Sequence, residues 1–82
     1  MKVIVELAEL SVDVRQKIAE SCTSPQTLSK LAEDKEWRVR LVVANNVNTS
    51  TEDLLKLGKD ENDNVKKAVV QRLTHLLTKV IV

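Results

Sequence analysis

Few residues of this chain are of the types that carry out chemistry, and they are scattered. The 82 residues contain one histidine, His75, and one cysteine, Cys22. The positions three and four residues from His75 hold Gln, Arg, Thr and Lys, which are not the usual ligands of a metal ion. The single glycine, Gly58, cannot form a glycine-rich phosphate loop. We therefore expect a non-enzymatic protein with no cofactor and no metal site.

Basic side chains are the second chemical feature, because a row of them can follow a phosphate backbone through salt-sensitive contacts. The candidates are Arg15, Lys17, Arg38, Arg40, Lys66, Lys67 and Arg72. Acidic residues are interspersed with them, namely Asp13, Glu20, Glu36 and Asp63. Thirteen Lys and Arg against twelve Asp and Glu leave a net charge of only +1. An ordinary solvated surface is the first interpretation of this strip, and nucleic-acid binding is the alternative.

The only aromatic residue, Trp37, is followed directly by Arg38. Aromatic and arginine side chains are frequent anchors of protein interfaces. Enzymes that handle nucleic-acid bases need stacking surfaces and a deep pocket, which one tryptophan supplies poorly. We expect Trp37 to be partly buried between neighbouring units, with Arg38 beside it on the surface.

Composition indicates which elements position these residues. Gly and Pro occur once each and Phe and Tyr are absent, which favours helices over turn-rich sheets. Hydrophobic spacing and capping residues predict helices at about 3–10, 12–21, 25–34, 37–46, 51–60 and 63–79. The tetrapeptide Lys-Val-Ile-Val occurs at residues 2–5 and 79–82, and we interpret the first copy as helical.

An internal repeat organises the predicted helices. The pairs Val14-Arg15, Val39-Arg40 and Val65-Lys66 are 25 and 26 residues apart. Residues at equivalent positions around these pairs are of the same chemical type. Five residues before each valine is an acid (Glu9, Asp34, Asp60). Four and eight residues after it are apolar residues (Ile18, Val43, Val69 and Cys22, Val47, Leu73). Spacings of four and eight describe one face of a helix. Cys22 is thus expected to be a small core residue.

The first halves of the repeats match as well. Ser24-Pro25 with Leu28 and Leu31 corresponds to Ser50-Thr51 with Leu54 and Leu57. Serine before a first-turn proline is a helix start with a capping oxygen. We predict one domain, residues 1–82, of three helix pairs with units of about 1–22, 23–47 and 48–82. The predicted core includes Leu28, Leu31, Val39, Val43 and Ala44.

The segments CTSPQTLSKLAE and DKEWRVRLVVANN resemble the HEAT-like helical repeat family and its shorter relative, the leucine-rich variant repeat. The resemblance implies an α-solenoid, a right-handed stack of about three short antiparallel helix pairs. It also implies a ladder between adjacent repeats, in which Glu9, Asp34 and Asp60 act with Arg15, Arg40 and Lys66. Lysine cannot form the two parallel hydrogen bonds of arginine, so we expect the rung of Lys66 to be weaker.

The predicted function is a protein–protein interaction or scaffold module that presents side chains to a partner peptide or helix. The partner-binding candidates are Arg15, Trp37, Arg38, Lys67 and Arg72. One cysteine favours a reducing compartment, and no apolar run approaches the roughly 20 residues of a membrane span, so we expect a cytoplasmic protein. We also expect a homodimer through one terminal helix. The apolar residues available for it are Val3, Ile4 and Leu7 on the first helix, and Leu76, Leu77, Val80 and Ile81 on the last.

Overall fold

In a computed structural model, residues 6–81 of the chain are described, with side chains as far as Lys79. These residues form five α-helices after a short 3-10 turn, Leu7–Glu9. The helices are α1 (Val12–Ser21), α2 (Pro25–Leu31), α3 (Trp37–Asn45), α4 (Thr51–Leu57) and α5 (Asp63–Ile81). Residues 6–81 contain no β-strand, so the predicted all-α class is confirmed.

Serine side chains begin three of the helices. Ser11, Ser24 and Ser50 each accept a hydrogen bond from the amide three residues on, at 3.3, 3.3 and 3.2 Å. Pro25 occupies the first turn of α2, where the missing amide proton costs no intrahelical bond. The predicted starts of α1, α2 and α4 are therefore confirmed, because each depends on a local cap.

Two predicted helix ends are wrong by three residues. Helix α2 ends at Leu31 rather than 34, and α4 ends at Leu57 rather than 60. The cause is the acid of the turn: Oδ1 of Asp34 accepts the amide of Glu36 at 2.9 Å, and Oδ1 of Asp60 accepts the amide of Asn62 at 2.9 Å. Each acid thus leaves the first helix and joins the start of the second.

The two ends of the chain also differ from prediction. The part of the predicted helix 3–10 that is described forms only the 3-10 turn Leu7–Glu9, and no side chain caps its start. Residues 1–5, with the first Lys-Val-Ile-Val, lie outside the described residues. The second such tetrapeptide, from Lys79, continues α5 as far as Ile81.

Helix α3 is at the centre of the packing. It contacts both α1 and α5, while α2 contacts α1 and α3, and α4 contacts α3 and α5. Helices α1 to α4 have only seven to ten residues each. Isolated helices of that length are marginal in water, so the contacts between helices must supply their stability.

The core lies between the α1/α3/α5 layer and the pair α2 and α4. Its buried apolar residues include all five that were predicted: Leu28, Leu31, Val39, Val43 and Ala44. Cys22 is partly buried against this core, as predicted. Val47 is 71 % exposed, because α3 has already ended at Asn45 and the helical spacing no longer applies. Each fully buried Val or Leu contributes about 1.5–3 kcal/mol.

Candidate interaction surface

Two arginines join consecutive repeats through aspartate. Nε of Arg40 donates to Oδ2 of Asp60 at 2.7 Å, and Nη2 donates to Oδ1 at 3.1 Å. The remaining nitrogen, Nη1, donates to the carbonyl of Asp34 at 2.6 Å. Arg15 repeats this geometry one unit earlier, with bonds of 2.7 and 3.2 Å to Asp34 and a further bond to the carbonyl of Leu10. We refer to these two sets of bonds as the rungs.

The rungs are nearly closed to solvent. The side chains of Arg40 and Asp60 are 12 % and 8 % exposed. Burial alone would raise the pKa of Asp60, but hydrogen bonds from Arg40 and from the amide of Asn62 outweigh it and hold that pKa below its usual range. The bond to Asp60 in turn raises the pKa of Arg40. The carboxylate and the guanidinium are therefore locked in their charged forms at neutral pH.

Lys66 and Glu9 occupy the outer ends of the same series. Lys66 has the register of Arg15 and Arg40 but lies 3.2 Å from Asp63 of its own helix, and both side chains are well exposed. Glu9 has the register of Asp34 and Asp60 and is also exposed. The arginine of one repeat pairs with the acid of the following repeat, so three acid–base sets form two rungs within the described chain.

Arg15 does not lie where a partner-binding residue must lie. Its side chain is only 5 % exposed, and its guanidinium is held by Asp34 and Leu10. A buried, paired arginine offers no free donor to a partner. We therefore remove Arg15, together with Arg40, from the predicted binding strip and assign both to the rungs.

Trp37 and Arg38 form a small surface cluster at the first turn of α3. Trp37 is partly buried and packs against the core, as predicted. The guanidinium carbon of Arg38 lies 5.3 Å from the centre of the Trp37 ring, within the range of a cation–π contact. Glu36 approaches Arg38 at 3.7 Å, but the arginine side chain is still 58 % exposed. Arg38 is thus oriented by its neighbours and open to solvent.

The two candidates on α5 differ from each other. Lys67 is exposed, as a partner-binding residue requires. Arg72 is half-buried, and its Nε is a buried atom with no hydrogen-bond partner among the described residues. Only the outer part of Arg72 can therefore contribute to a surface contact.

Asn46 is a structural residue that the sequence did not point to. It is buried, and its Nδ2 donates to the carbonyls of Ala19 and Cys22 at 2.7 and 2.8 Å. Its Oδ1 accepts the amide of Asn48. With φ of −81°, Asn46 is not in the left-handed conformation that asparagine often adopts at a helix end. Its equivalents in the other repeats are Ser and Arg, so no repeated signal marks it.

The side of the α1/α3/α5 layer that faces away from α2 and α4 is the outer face. It is formed by Asp13, Lys17 and Glu20 of α1, Arg38, Leu41, Val42 and Asn45 of α3, and Asn64, Lys67 and Gln71 of α5. Leu41 and Val42 are only partly buried, so the centre of this face is apolar. Its rim carries charges of both signs.

One open depression lies away from the outer face, and another borders that face at Lys67 and Gln71. One, of about 560 Å³, is lined by residues that include Arg15 and Asp34, but these two groups already neutralise each other. The other, of about 440 Å³, lies on α5 beside Val70. His75 is exposed, and the described residues contain no group of three or more His, Cys, Asp or Glu side chains that could hold a metal ion. None of the helices in the described chain is long and apolar enough to cross a membrane.

The chain was also compared with known proteins. No protein-family model matches it, and no curated protein or solved structure matches it either.

Proposed function

We propose that the protein is a non-enzymatic interaction module of three HEAT-like helical repeats, which binds a protein or peptide partner on its outer face. The observation that carries this proposal is that some charged residues are buried in ion pairs while others remain exposed. Arg15, Arg40, Asp34 and Asp60 are consumed in the rungs, whereas Arg38 and Lys67 are exposed around an apolar centre. An apolar centre inside a polar rim is the usual anatomy of a protein interface.

The packing of α3 between α1 and α5 supports the repeat architecture, because equivalent residues of consecutive units make equivalent bonds. Such a scaffold holds its outer face rigid, which lowers the entropy cost of binding. Trp37 and Arg38 belong to the residue types that most often dominate binding energy. We assign Arg38 and Lys67 of the outer face to the partner contact, together with Trp37, whose ring lies under Arg38, and the exposed part of Arg72.

Nucleic-acid binding is the weaker reading of the same face. Burial of Arg15 and Arg40 in the rungs removes two of the cations that would have formed the strip. Asp13 and Glu20 remain exposed beside Lys17.

We also propose a reducing, cytoplasmic setting, for which the free thiol of Cys22 is the support.

The test is affinity capture from an extract of the native host with a charge-reversed outer face. The variant carries Arg38→Glu and Lys67→Glu, and the matched control carries Lys30→Glu and Lys56→Glu, two exposed lysines on α2 and α4. We expect the wild type to capture a protein partner, and the capture should persist after nuclease treatment. The control should capture this partner as well as the wild type does, and the variant should not capture it. Equal capture by all three proteins would refute the outer face as the site.

A second arm separates the nucleic-acid reading. A mobility shift of a DNA or RNA probe at low salt that fades steeply with added salt is the mark of phosphate contacts. We expect no shift. A salt-sensitive shift that disappears with Arg38→Glu and Lys67→Glu, together with nuclease-sensitive capture, would replace the protein-partner proposal with nucleic-acid binding.

A further inference from the structure

We propose that copies of this chain associate head to tail, with α5 of one copy docked on α1 of the next and Lys66 paired with Glu9 across the contact. The partner is therefore a second copy of the same chain. This proposal does not depend on the outer face, since different residues carry it.

The first support is the open series of rungs. The amide of Glu9 donates to the carbonyl three residues earlier at 3.0 Å, as the amides of Asp34 and Asp60 do at 3.1 Å. Glu9 therefore shares this backbone hydrogen bond with the rung acids, and it is exposed. Lys66 has the position of a rung base at the opposite end. Its contact with the exposed Asp63 is a surface ion pair, which is readily exchanged for another acid.

The second support is apolar and lies at the same two ends. Ala19 and Ala44 are fully buried, but their equivalent on α5, Val70, is 61 % exposed. On the other side of the series, Val39 and Val65 are fully buried. These buried residues, Ala19 and Ala44 on one side and Val39 and Val65 on the other, lie where one helix of the layer packs against the next.

The equivalent of Val39 and Val65 on α1 is Val14, which is 42 % exposed. One end therefore presents Val70 beside Lys66, and the other presents Val14 beside Glu9. The depression of about 440 Å³ next to Val70 gives the α5 end a recess for an apolar side chain. Val70 and Lys66 at one end are therefore matched by Val14 and Glu9 at the other.

This contact should be weaker than the internal packing. Valine at position 70 keeps two helices farther apart than the alanine of the inner units does, and Lys66 makes one hydrogen bond where arginine makes two. Because the two surfaces differ, the contact does not close at two copies. Association should therefore proceed as a concentration-dependent series, in place of the closed homodimer expected from the sequence.

The experiment is sedimentation equilibrium of the 82-residue chain over a wide concentration range at low salt. The wild type should gain mass steadily with concentration. Lys66→Glu and Glu9→Lys should each weaken association on the order of tenfold, because an exposed attraction becomes a repulsion. An equimolar mixture of these two variants, and the double variant carrying both changes, should associate like the wild type.

Lys56→Glu is the matched control, because it makes the same charge change at an exposed lysine of α4 that does not line the recess, and it should leave association near that of the wild type. Circular dichroism on each variant verifies that the helices are intact. A mixture no heavier than its separate components would overturn the proposal, and so would a single-chain mass at every concentration. Association that ignores Glu9→Lys but is lost with Leu77→Glu would instead establish a symmetric contact through α5.

Discussion

Replacing Arg40 with lysine keeps the positive charge but removes the paired hydrogen bonds of the guanidinium to Asp60. Arg40 donates three hydrogen bonds, two to Asp60 and one to the carbonyl of Asp34. A lysine ammonium on the same helix can retain one of them at good geometry. The two lost bonds involve a charged donor, and such bonds contribute about 1.5–3 kcal/mol each. Water and the remaining charge recover part of this, so we expect a loss of about 2–4 kcal/mol.

A loss of about 2–4 kcal/mol is large compared with the total free energy of unfolding. A chain of 82 residues has a free energy of unfolding of about 4–12 kcal/mol at the usual value per residue. The Arg40→Lys variant should lower the midpoint of thermal unfolding by roughly 10–30 °C, and it folds wherever the wild type has more than about 4 kcal/mol of stability. Urea unfolding followed by circular dichroism at pH 7 measures the difference.

Arg38→Lys is the matched control on the same helix. Arg38 is exposed and its contact with Glu36 is long, at 3.7 Å, so its replacement should change stability by less than about 0.5 kcal/mol. If Arg40→Lys were as mild as this control, the rungs would not be holding consecutive repeats together, and the reasoning above would be refuted.

Three further predictions concern stability. Because the pKa of Asp60 is lowered in the fold, its stabilisation is fully present above the unfolded value of about 3.9 and is lost as pH falls below that value and through the lower pKa of the folded state. Asp60→Asn should be less stable at pH 7, and its stability should depend less on pH on the acid side of about pH 5; parallel pH curves would contradict this. Asn46→Ala removes the side-chain donor of the Ala19 carbonyl and leaves the Cys22 carbonyl with only the longer bond from Asn48, at 3.3 Å. It should cost about 1–3 kcal/mol in urea unfolding, whereas Asn45→Ala, one exposed residue earlier, should cost far less. Gly58 has the backbone angles of Ala32, φ −64° in both, and an added Cβ lies 3.3 Å from the nearest atom. Gly58→Ala should therefore raise the thermal midpoint through about 0.4–1 kcal/mol, and a lowered midpoint would show that this contact is too close.

The features that could be predicted from the sequence were mainly those that recur in each repeat. The core residues recur at fixed offsets, and the serine caps act within one turn, so both follow from short-range rules. The family resemblance implied a ladder of the turn acids with Arg15, Arg40 and Lys66, and the arginine bonds of that ladder are present. It did not say that each arginine pairs with the acid of the following unit, so the expected rung of Lys66 is absent from the described chain, where Lys66 pairs with Asp63. The repeat also marked Arg15, but it gave no way to separate a buried rung arginine from an exposed one.

Features that occur once escaped prediction. Asn46 links two repeats, yet its equivalents are Ser21 and Arg72, so nothing periodic marked it. The ends of α2 and α4 were placed too late, because an aspartate at a helix end can equally belong to the next helix. In this fold the aspartate accepts the amide two residues on and also binds an arginine of the preceding unit, which lies about 20 residues away in the sequence.

The most direct test of the central claim, that desolvated rungs hold consecutive repeats in register, is a double-mutant cycle between Arg40 and Asp60. The variants are Arg40→Gln, Asp60→Asn and both together, each measured by urea unfolding at pH 7. Coupling energies between contacting residues in one network are typically about 0.5–3 kcal/mol, and the buried two-bond geometry predicts a value of about 2 kcal/mol or more. A coupling below about 0.5 kcal/mol would contradict the claim, because the two side chains would then stabilise the fold independently of each other.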